Sequence, residues 1–345
     1  MGAIENAKVT VVGAGAVGSS SAYAMLIRKA ARHVVLYDIA AQKVEAEVLD
    51  LAHGTNFTGS SRITGGSDIA VTAGSHVVVI TAGAKQAPGQ TRMDLAATNA
   101  RIIATMMPRL LEASPDAIFV IVTNPCDVLA VIAQQATGLP PERVMASGTV
   151  LDTSRLRVRL AEAAGVATRS VHAHIVGEHG DTEFPLWTSA TIGPVPLLDW
   201  RAPGFDGFRR EELDAIAIEV RDAAYRVIQG KGATNYGIGL SVTRIVEAIL
   251  DDEGAVLPVS TVLSGFHGID GVALSVPSIV NAAGAFPIRE TRFDDAELEL
   301  LRTSAAAISL TAQSVAGYDS AGRMSVWPKS SPTNSSSSPR ARASA

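Results

Sequence analysis

The sequence predicts an α/β fold: a doubly wound parallel sheet followed by a second, mixed α+β unit. Three observations carry that expectation. Short, nearly continuous apolar runs recur at Lys8–Val12, His33–Tyr37, His76–Thr81, Ala117–Val122 and Arg143–Ala146, and strands apolar on both faces belong in a sheet covered on both sides. Helical stretches separate them, as parallel crossovers require. The first run ends in Gly13-Ala-Gly-Ala-Val-Gly18, a glycine-rich turn that opens directly into a helix.

Composition sets the bounds. A chain of 345 residues is too long for one small core, so two domains are expected, over 1–147 and 148–328, with a Ser- and Pro-rich tail at 329–345 expected to be disordered. Hydrophobic residues make up 47% of the chain, yet its longest apolar runs fall short of the roughly 20 residues of a membrane span. A net charge of −5 argues against general nucleic-acid binding. The single cysteine, Cys126, cannot close an internal disulfide, and it excludes a cysteine-based metal cluster; no metal is expected. The N-terminus has no basic region followed by an apolar core, so a cytoplasmic protein is expected.

In chain order, Lys8–Val12 supplies a strand, the glycine turn follows, and a helix runs over Ser19–Lys29. Strand, Gly-x-Gly-x-x-Gly and helix together are the phosphate-binding turn of the Rossmann fold: the glycines let the chain turn tightly, admit a pyrophosphate to the backbone, and let helix and strand pack closely. Free N–H groups and the positive helix end then attract the phosphates. The second strand, His33–Tyr37, ends at Asp38, twenty positions beyond Gly18. A carboxylate there accepts from ribose hydroxyls and repels a 2′-phosphate, so NAD is favoured over NADP.

A helix is expected over Gln42–Ala52. Ligands of doubly wound sheets lie beyond the carboxyl ends of the strands. After His76–Thr81 comes a loop from Ala82 to Arg92 with Gly83, Pro88 and Gly89, long enough to act as a lid that carries Gln86 and Arg92. After Ala117–Val122 come Thr123 and Asn124.

From Gly148 the pattern changes to a helix reaching about Ala164. Asp152 suits a helix start; it also lies three positions before Arg155, on neighbouring parts of one helical face, so both can point into one cleft. Ile175-Val176 is expected to end a short buried strand, leaving His179 between Gly177 and Gly180 at a cleft, where an imidazole can give or take a proton near neutral pH. Helices follow over about Arg209–Gln229 and up to Leu250, with Thr234 at the start of the latter, either as cap or as substrate contact. The helix near 235–250 is expected to pack on the first domain. Strand-like runs at Val256–Leu263 and Gly271–Ile279 precede a last helix, about Asp294–Val315.

A nicotinamide cofactor, a histidine, a carboxylate and arginine forks specify a reaction class. Hydride transfer to a carbonyl leaves charge on oxygen, which needs a proton donor, and an arginine fork clamps a carboxylate. The set suits reduction of a small 2-oxo acid and the reverse oxidation of a 2-hydroxy acid.

These residues resemble the lactate/malate dehydrogenase family over about Lys8–Trp327: the glycine turn, Tyr37-Asp38, the Ala-Gly-Ala lid start, Val122-Thr-Asn-Pro125, Leu151-Asp-Thr-Ser-Arg155 and Gly-Glu-His-Gly-Asp181. The resemblance implies that His179 exchanges the proton, that Asp152 orients it, and that Arg155 grips the substrate carboxylate. It further implies that Asn124 bonds the substrate oxygen and that Arg92 polarises the carbonyl. Cofactor contacts are implied for Gly13, Gly15, Val17, Gly18, Asp38, Thr81, Gly83, Asn99, Thr123 and Asn124. Malate enzymes of the family carry an arginine six positions before the lid arginine; here that position is Gln86, and Thr234 matches a pocket position of lactate enzymes. Pyruvate and L-lactate are therefore the implied substrates, with malate or another 2-hydroxy acid as the alternative and a non-catalytic nucleotide-binding protein as a third reading. Arg157 and His172 match positions that bind fructose 1,6-bisphosphate across a subunit interface in bacterial members. The same residues also read as a solvated helix arginine and a loop histidine. A homotetramer is implied as well. The Ser-rich tail has no counterpart in the family pattern.

Overall fold

The computed structural model describes residues 2–59, 61–84 and 92–316. The first segment alternates strand and helix: β1 (Lys8–Val12), α1 (Ala16–Arg28), β2 (His33–Tyr37), α2 (Ala41–Gly54), β3 (Arg62–Gly66), β4 (Val77–Ile80), α3 (Arg92–Ala113), β5 (Ile118–Ile121), α4 (Cys126–Thr137) and β6 (Val144–Ala146). All the strands expected in this segment form, with ends trimmed by a residue or two. β3 was not expected, because Arg-Ile-Thr-Gly-Gly carries a single large apolar side chain; it forms by pairing along the whole of β2.

The strands run parallel in the order β3-β2-β1-β4-β5-β6. Strand order reverses between β1 and β4, which opens a crevice at their carboxyl ends, beside Gly13 and Thr81. Alternation along β4 divides the core: Val78 and Ile80 pack with α3 and α4, while Val77 and Val79 pack with α1.

The second segment contributes α5 (Val150–Ala164), β7 (Val171–His172), β8 (Ile175–Val176), β9 (Phe184–Pro185), β10 (Thr191–Ile192), β11 (Val195–Pro196), α6 (Arg210–Lys231) and α7 (Tyr236–Leu250). It ends with β12 (Ala255–Leu257), β13 (Ser260–Val262), β14 (Ala273–Ser275), β15 (Ser278–Asn281), β16 (Gly284–Pro287) and α8 (Asp295–Ala316). The two long strand-like runs are each broken, at Pro258 and at Pro277, because proline removes a ladder donor. β13 and β14 extend the main sheet antiparallel from β6, whereas β12, β15 and β16 form a separate sheet.

Two helices of this segment cover the first sheet. On the α1 face, α7 adds Val242, Ile245 and Ile249; on the other, α8 adds Leu301 and Ile308. α7 approaches α1 so closely that a Cβ on Gly239 would stand 2.8 Å from the Ser20 carbonyl oxygen. A third core joins α5 and α6 through Leu156, Leu160, Leu213, Ile216 and Val220. Among the described residues no helix is long and apolar enough to cross a membrane. Gln86 and the tail over 329–345 lie outside the described residues.

Candidate active site

The nucleotide end is built on the turn after β1. Gly13 has φ +106°, and a Cβ there would meet Thr81 Oγ1 and Ala82 N at 2.8 Å; a Cβ on Gly18 would collide with the Gly13 carbonyl. These two glycines serve packing. At Gly15, which begins α1 without a side-chain cap, an added Cβ would meet no atom within 4 Å. That open position, beside the unpaired first N–H groups of a helix, is where a pyrophosphate fits. Val17 is half-buried in the first turn of α1. Asp38 accepts from Ala14 N–H at 2.7 Å and from Ala40 N–H at 2.9 Å, which fixes its carboxylate beside the turn.

Three polar side chains join the strand ends. Thr81 Oγ1 donates to the Val12 carbonyl at 2.9 Å, and Thr123 Oγ1 donates to the Ala82 carbonyl at 2.8 Å. Buried Asn99 accepts from Ala84 N–H at 2.8 Å and donates to the Asn124 carbonyl at 2.9 Å. It ties Ala84, just after β4, to the end of β5. Gly83 packs so near Thr123 and Asn99 that a Cβ would stand 2.5 Å from Thr123 Cγ2. Asn124 itself is exposed. Arg92 is the first residue of α3.

The end that carries His179 comes from the second segment. β8 and β9 pair antiparallel and present the loop carrying His179. Gly177, at φ +93°, exchanges two backbone hydrogen bonds of 2.9 Å with Ser275 of β14, so the loop is anchored to the main sheet. Thr149 Oγ1 donates to the Ile175 carbonyl at 2.6 Å, and Thr153 Oγ1 accepts from Ile175 N–H at 2.9 Å; these bonds fix β8 against the first turn of α5. The loop and helix then meet at the side chains. His179 Nδ1 lies 2.8 Å from Asp152 Oδ2, and Arg155 Nη1 donates to Asp152 Oδ1 at 2.5 Å.

Asp152 is thus held in the first turn of α5, at 3% side-chain exposure, between an imidazole and a guanidinium. Thr149 takes the cap position, and Asp152 stands in the first turn of α5, at the helix start as well as in the cleft. Burial alone would raise its carboxyl, but the charge and hydrogen bond of His179, with Arg155, outweigh burial and hold it below its ordinary value. Burial likewise opposes the imidazolium, yet Asp152, then Glu183 and Asp127, push His179 up to about 9.

Two neighbours were not singled out from sequence. Asp127, buried in the first turn of α4, accepts from the His179 backbone N–H at 2.7 Å, and burial pushes it up to about 6. Glu183 lies 3.9 Å from His179 Nδ1. The signal for Asp127 was an acid at the head of an otherwise apolar helix, Cys126-Asp-Val-Leu-Ala-Val-Ile132. For Glu183 it was an acid directly before Phe184-Pro185.

Other expected residues lie further out. α7 begins at Tyr236 with Asn235 at the cap position; Thr234 is a half-buried loop residue before it, so its cap reading is set aside. Asn235 Nδ2 donates to Ser20 Oγ at 2.7 Å, drawing that loop onto α1. Arg157 donates from Nε to the Ala173 carbonyl at 2.9 Å and lies with Nη2 3.0 Å from His174 Nε2. Burial, with the charges of Arg157 and His172, pushes His174 down to about 3, so it is a neutral acceptor. His172 is exposed on β7.

Fold and site together define an NAD-dependent oxidoreductase: the phosphate turn and Asp38 fit NAD, and a carboxylate-paired histidine stands in the second segment. The family model described as the lactate/malate dehydrogenase NAD-binding domain matches residues 7–146, and that of the α/β C-terminal domain matches 149–316. An L-lactate dehydrogenase of Bifidobacterium animalis subsp. lactis is 47% identical over 310 residues, covering 90% of this chain and 97% of the relative. One from Latilactobacillus sakei is 42% identical, covering 87% and 92%. The crystal structure of a minor L-lactate dehydrogenase from Enterococcus mundtii superposes with a TM-score of 0.86 at 38% identity, covering 90% of this chain and 98% of that one. The chain belongs to the lactate/malate dehydrogenase family.

Proposed function

We propose that this chain is an L-lactate dehydrogenase, which reduces pyruvate to L-lactate and runs the reverse oxidation. The observation that carries the reading is the His179–Asp152–Arg155 cluster, 2.8 Å and 2.5 Å between partners. The cofactor, when bound, supplies or accepts the hydride at the substrate carbon. His179 uses Nδ1 for Asp152, so Nε2 is the atom that gives its proton to the carbonyl oxygen as charge develops there. Asp152 holds the ring's orientation and stabilises the imidazolium. Among the described residues Arg155 gives a single N–H to Asp152, and the rest of its fork grips the substrate carboxylate. Asn124 bonds the substrate oxygen, Arg92 polarises it, and the cofactor contacts are those named above.

Specificity for pyruvate rests on Gln86 and Thr234. A neutral amide offers no charge to offset a second buried carboxylate, which disfavours oxaloacetate. We further propose a domain division near 147/148, a homotetramer, a cytoplasmic location, and activation by fructose 1,6-bisphosphate at Arg157 and His172. Exposed His172 supports the effector reading; binding there requires Arg157 to exchange its contact with His174.

The test is loss of NADH absorbance with pyruvate and then oxaloacetate, at low substrate, with and without the bisphosphate. Faster loss with pyruvate is expected, rising as effector is added. Faster loss with oxaloacetate makes the protein a malate enzyme, no loss with either leaves a binding protein, and a flat effector response removes the regulatory site.

A further inference from the structure

Glu183 is a second carboxyl beside the catalytic imidazole, and the mechanism above does not use it. It stands at the end of the His179 loop, directly before β9, with its side chain 5% exposed. Its Oε2 lies 3.9 Å from His179 Nδ1, and its Oε1 is buried with no hydrogen-bond partner among the described residues. Asp152, His179 and Glu183 offer atoms that all lie within 4.8 Å of one another, as in a cation site. Asp152 is already committed to the Arg155 guanidinium, however, which puts a permanent positive charge on that cluster.

The charged groups facing this corner come from three helices and the loop itself: Asp152 and Arg155 of α5, Arg221 of α6, Asp127 of α4, and Glu178 of the loop. Burial, then the charge of Asp152, push Glu183 up to about 8, against the pull of His179, Arg155 and Arg221. Asp152 is held low and Asp127 reaches only about 6. Of these three buried carboxyls, Glu183 is therefore the one that ionises in the same range as His179, so the two groups titrate as a pair.

We propose that Glu183 is a positioning residue whose charge, formed opposite His179 Nδ1, keeps the imidazole protonated beyond what Asp152 achieves alone. This rests on His179 being the proton donor. Pyruvate reduction needs the imidazolium and lactate oxidation the neutral ring. Glu183 thereby widens the pH range of reduction and delays oxidation, leaving the overall equilibrium unchanged.

The test compares pH profiles of kcat/KM for the full-length protein, Glu183→Gln and His179→Gln. A second readout is affinity for oxamate, the amide isostere of pyruvate, in the NADH complex, followed by NADH fluorescence. For Glu183→Gln the alkaline limb of pyruvate reduction and of oxamate binding should move to lower pH by about half a unit or more, the plateau staying within about threefold. Where Glu183 is charged, between about pH 8 and 9, lactate oxidation should become about three times faster than in the unsubstituted enzyme, and well below pH 8, where Glu183 is neutral, the two should coincide. An unmoved limb alongside an inactive His179→Gln overturns the role of Glu183 and leaves the proton-donor reading intact. Full activity in His179→Gln overturns both. Should Glu183→Gln fail to fold, Glu183→Met, neutral and of similar size, carries the same expectation and the same refutation.

Discussion

At the scale of single residues, the chemistry depends on where one proton sits. Asp152, with Glu183 and Asp127, outweighs burial and pushes His179 up to about 9, so the ring is protonated through neutral pH. In the proposed mechanism pyruvate reduction consumes that proton; its kcat/KM should be flat near pH 7 and fall about tenfold per pH unit above the His179 value. Lactate oxidation needs the neutral ring and should rise toward the same value. Asp152→Asn removes the main stabilising charge, so the limb should move to lower pH and the rate at pH 7 should drop by about 10²–10⁴, as steady-state rates across the pH range would record. By the proposed specificity, Gln86→Arg supplies a charge for a second carboxylate. The ratio of kcat/KM for oxaloacetate over pyruvate should then rise by at least about tenfold, and an unchanged ratio would refute the pocket assignment.

Elements set these distances through a few buried seams. The one that matters most joins β8 to the first turn of α5, where Thr149 and Thr153 bracket Ile175 with hydrogen bonds of 2.6 Å and 2.9 Å. Because the loop after β8 carries His179 and the same helical turn carries Asp152, this seam fixes the distance of the pair. Thr153→Val keeps the shape of the side chain and removes the acceptor, leaving a buried N–H unpaired. A loss of about 1–3 kcal/mol is expected. Urea unfolding should show a lower midpoint with an unchanged slope, and kcat should fall while NADH affinity is kept.

At the scale of the whole molecule, α7 and α8 cross from the second segment to close the two faces of the first sheet, so the first segment does not complete its core alone. The paired helices α1 and α7 still leave Tyr23, Ile27, Tyr236 and Leu240 exposed, and α2 with the turn after it exposes Leu49 and Phe57. Between α5 and α6 a cavity of about 550 Å³ opens along Val158, Arg159, Val220 and Arg226; it reaches Arg155 but has neither His179 nor Asp152 in its walls. Apolar side chains spread over several helices in this way suit burial against further copies of the chain. Sedimentation velocity should show a species several times the 35.8 kDa chain mass; a monomer at micromolar concentration would remove the proposed tetramer.

The parallel core, the glycine turn and the acid at the end of β2 were legible in the residues, because strand periodicity and backbone freedom are local properties of neighbouring residues. The sequence also marked His179, Asp152 and Arg155 as a set. Packing chose the groups around the imidazole: Asp127 reaches it only because α4 meets the β8–β9 hairpin, 52 positions away in sequence, and Glu183 because the loop joining β8 to β9 turns back on itself. It decided, too, that β3 forms by pairing despite its weak pattern, and that two apolar runs split between separate sheets. Contacts between distant segments depend on how faces pack, and a local pattern of residues carries no record of the partner face.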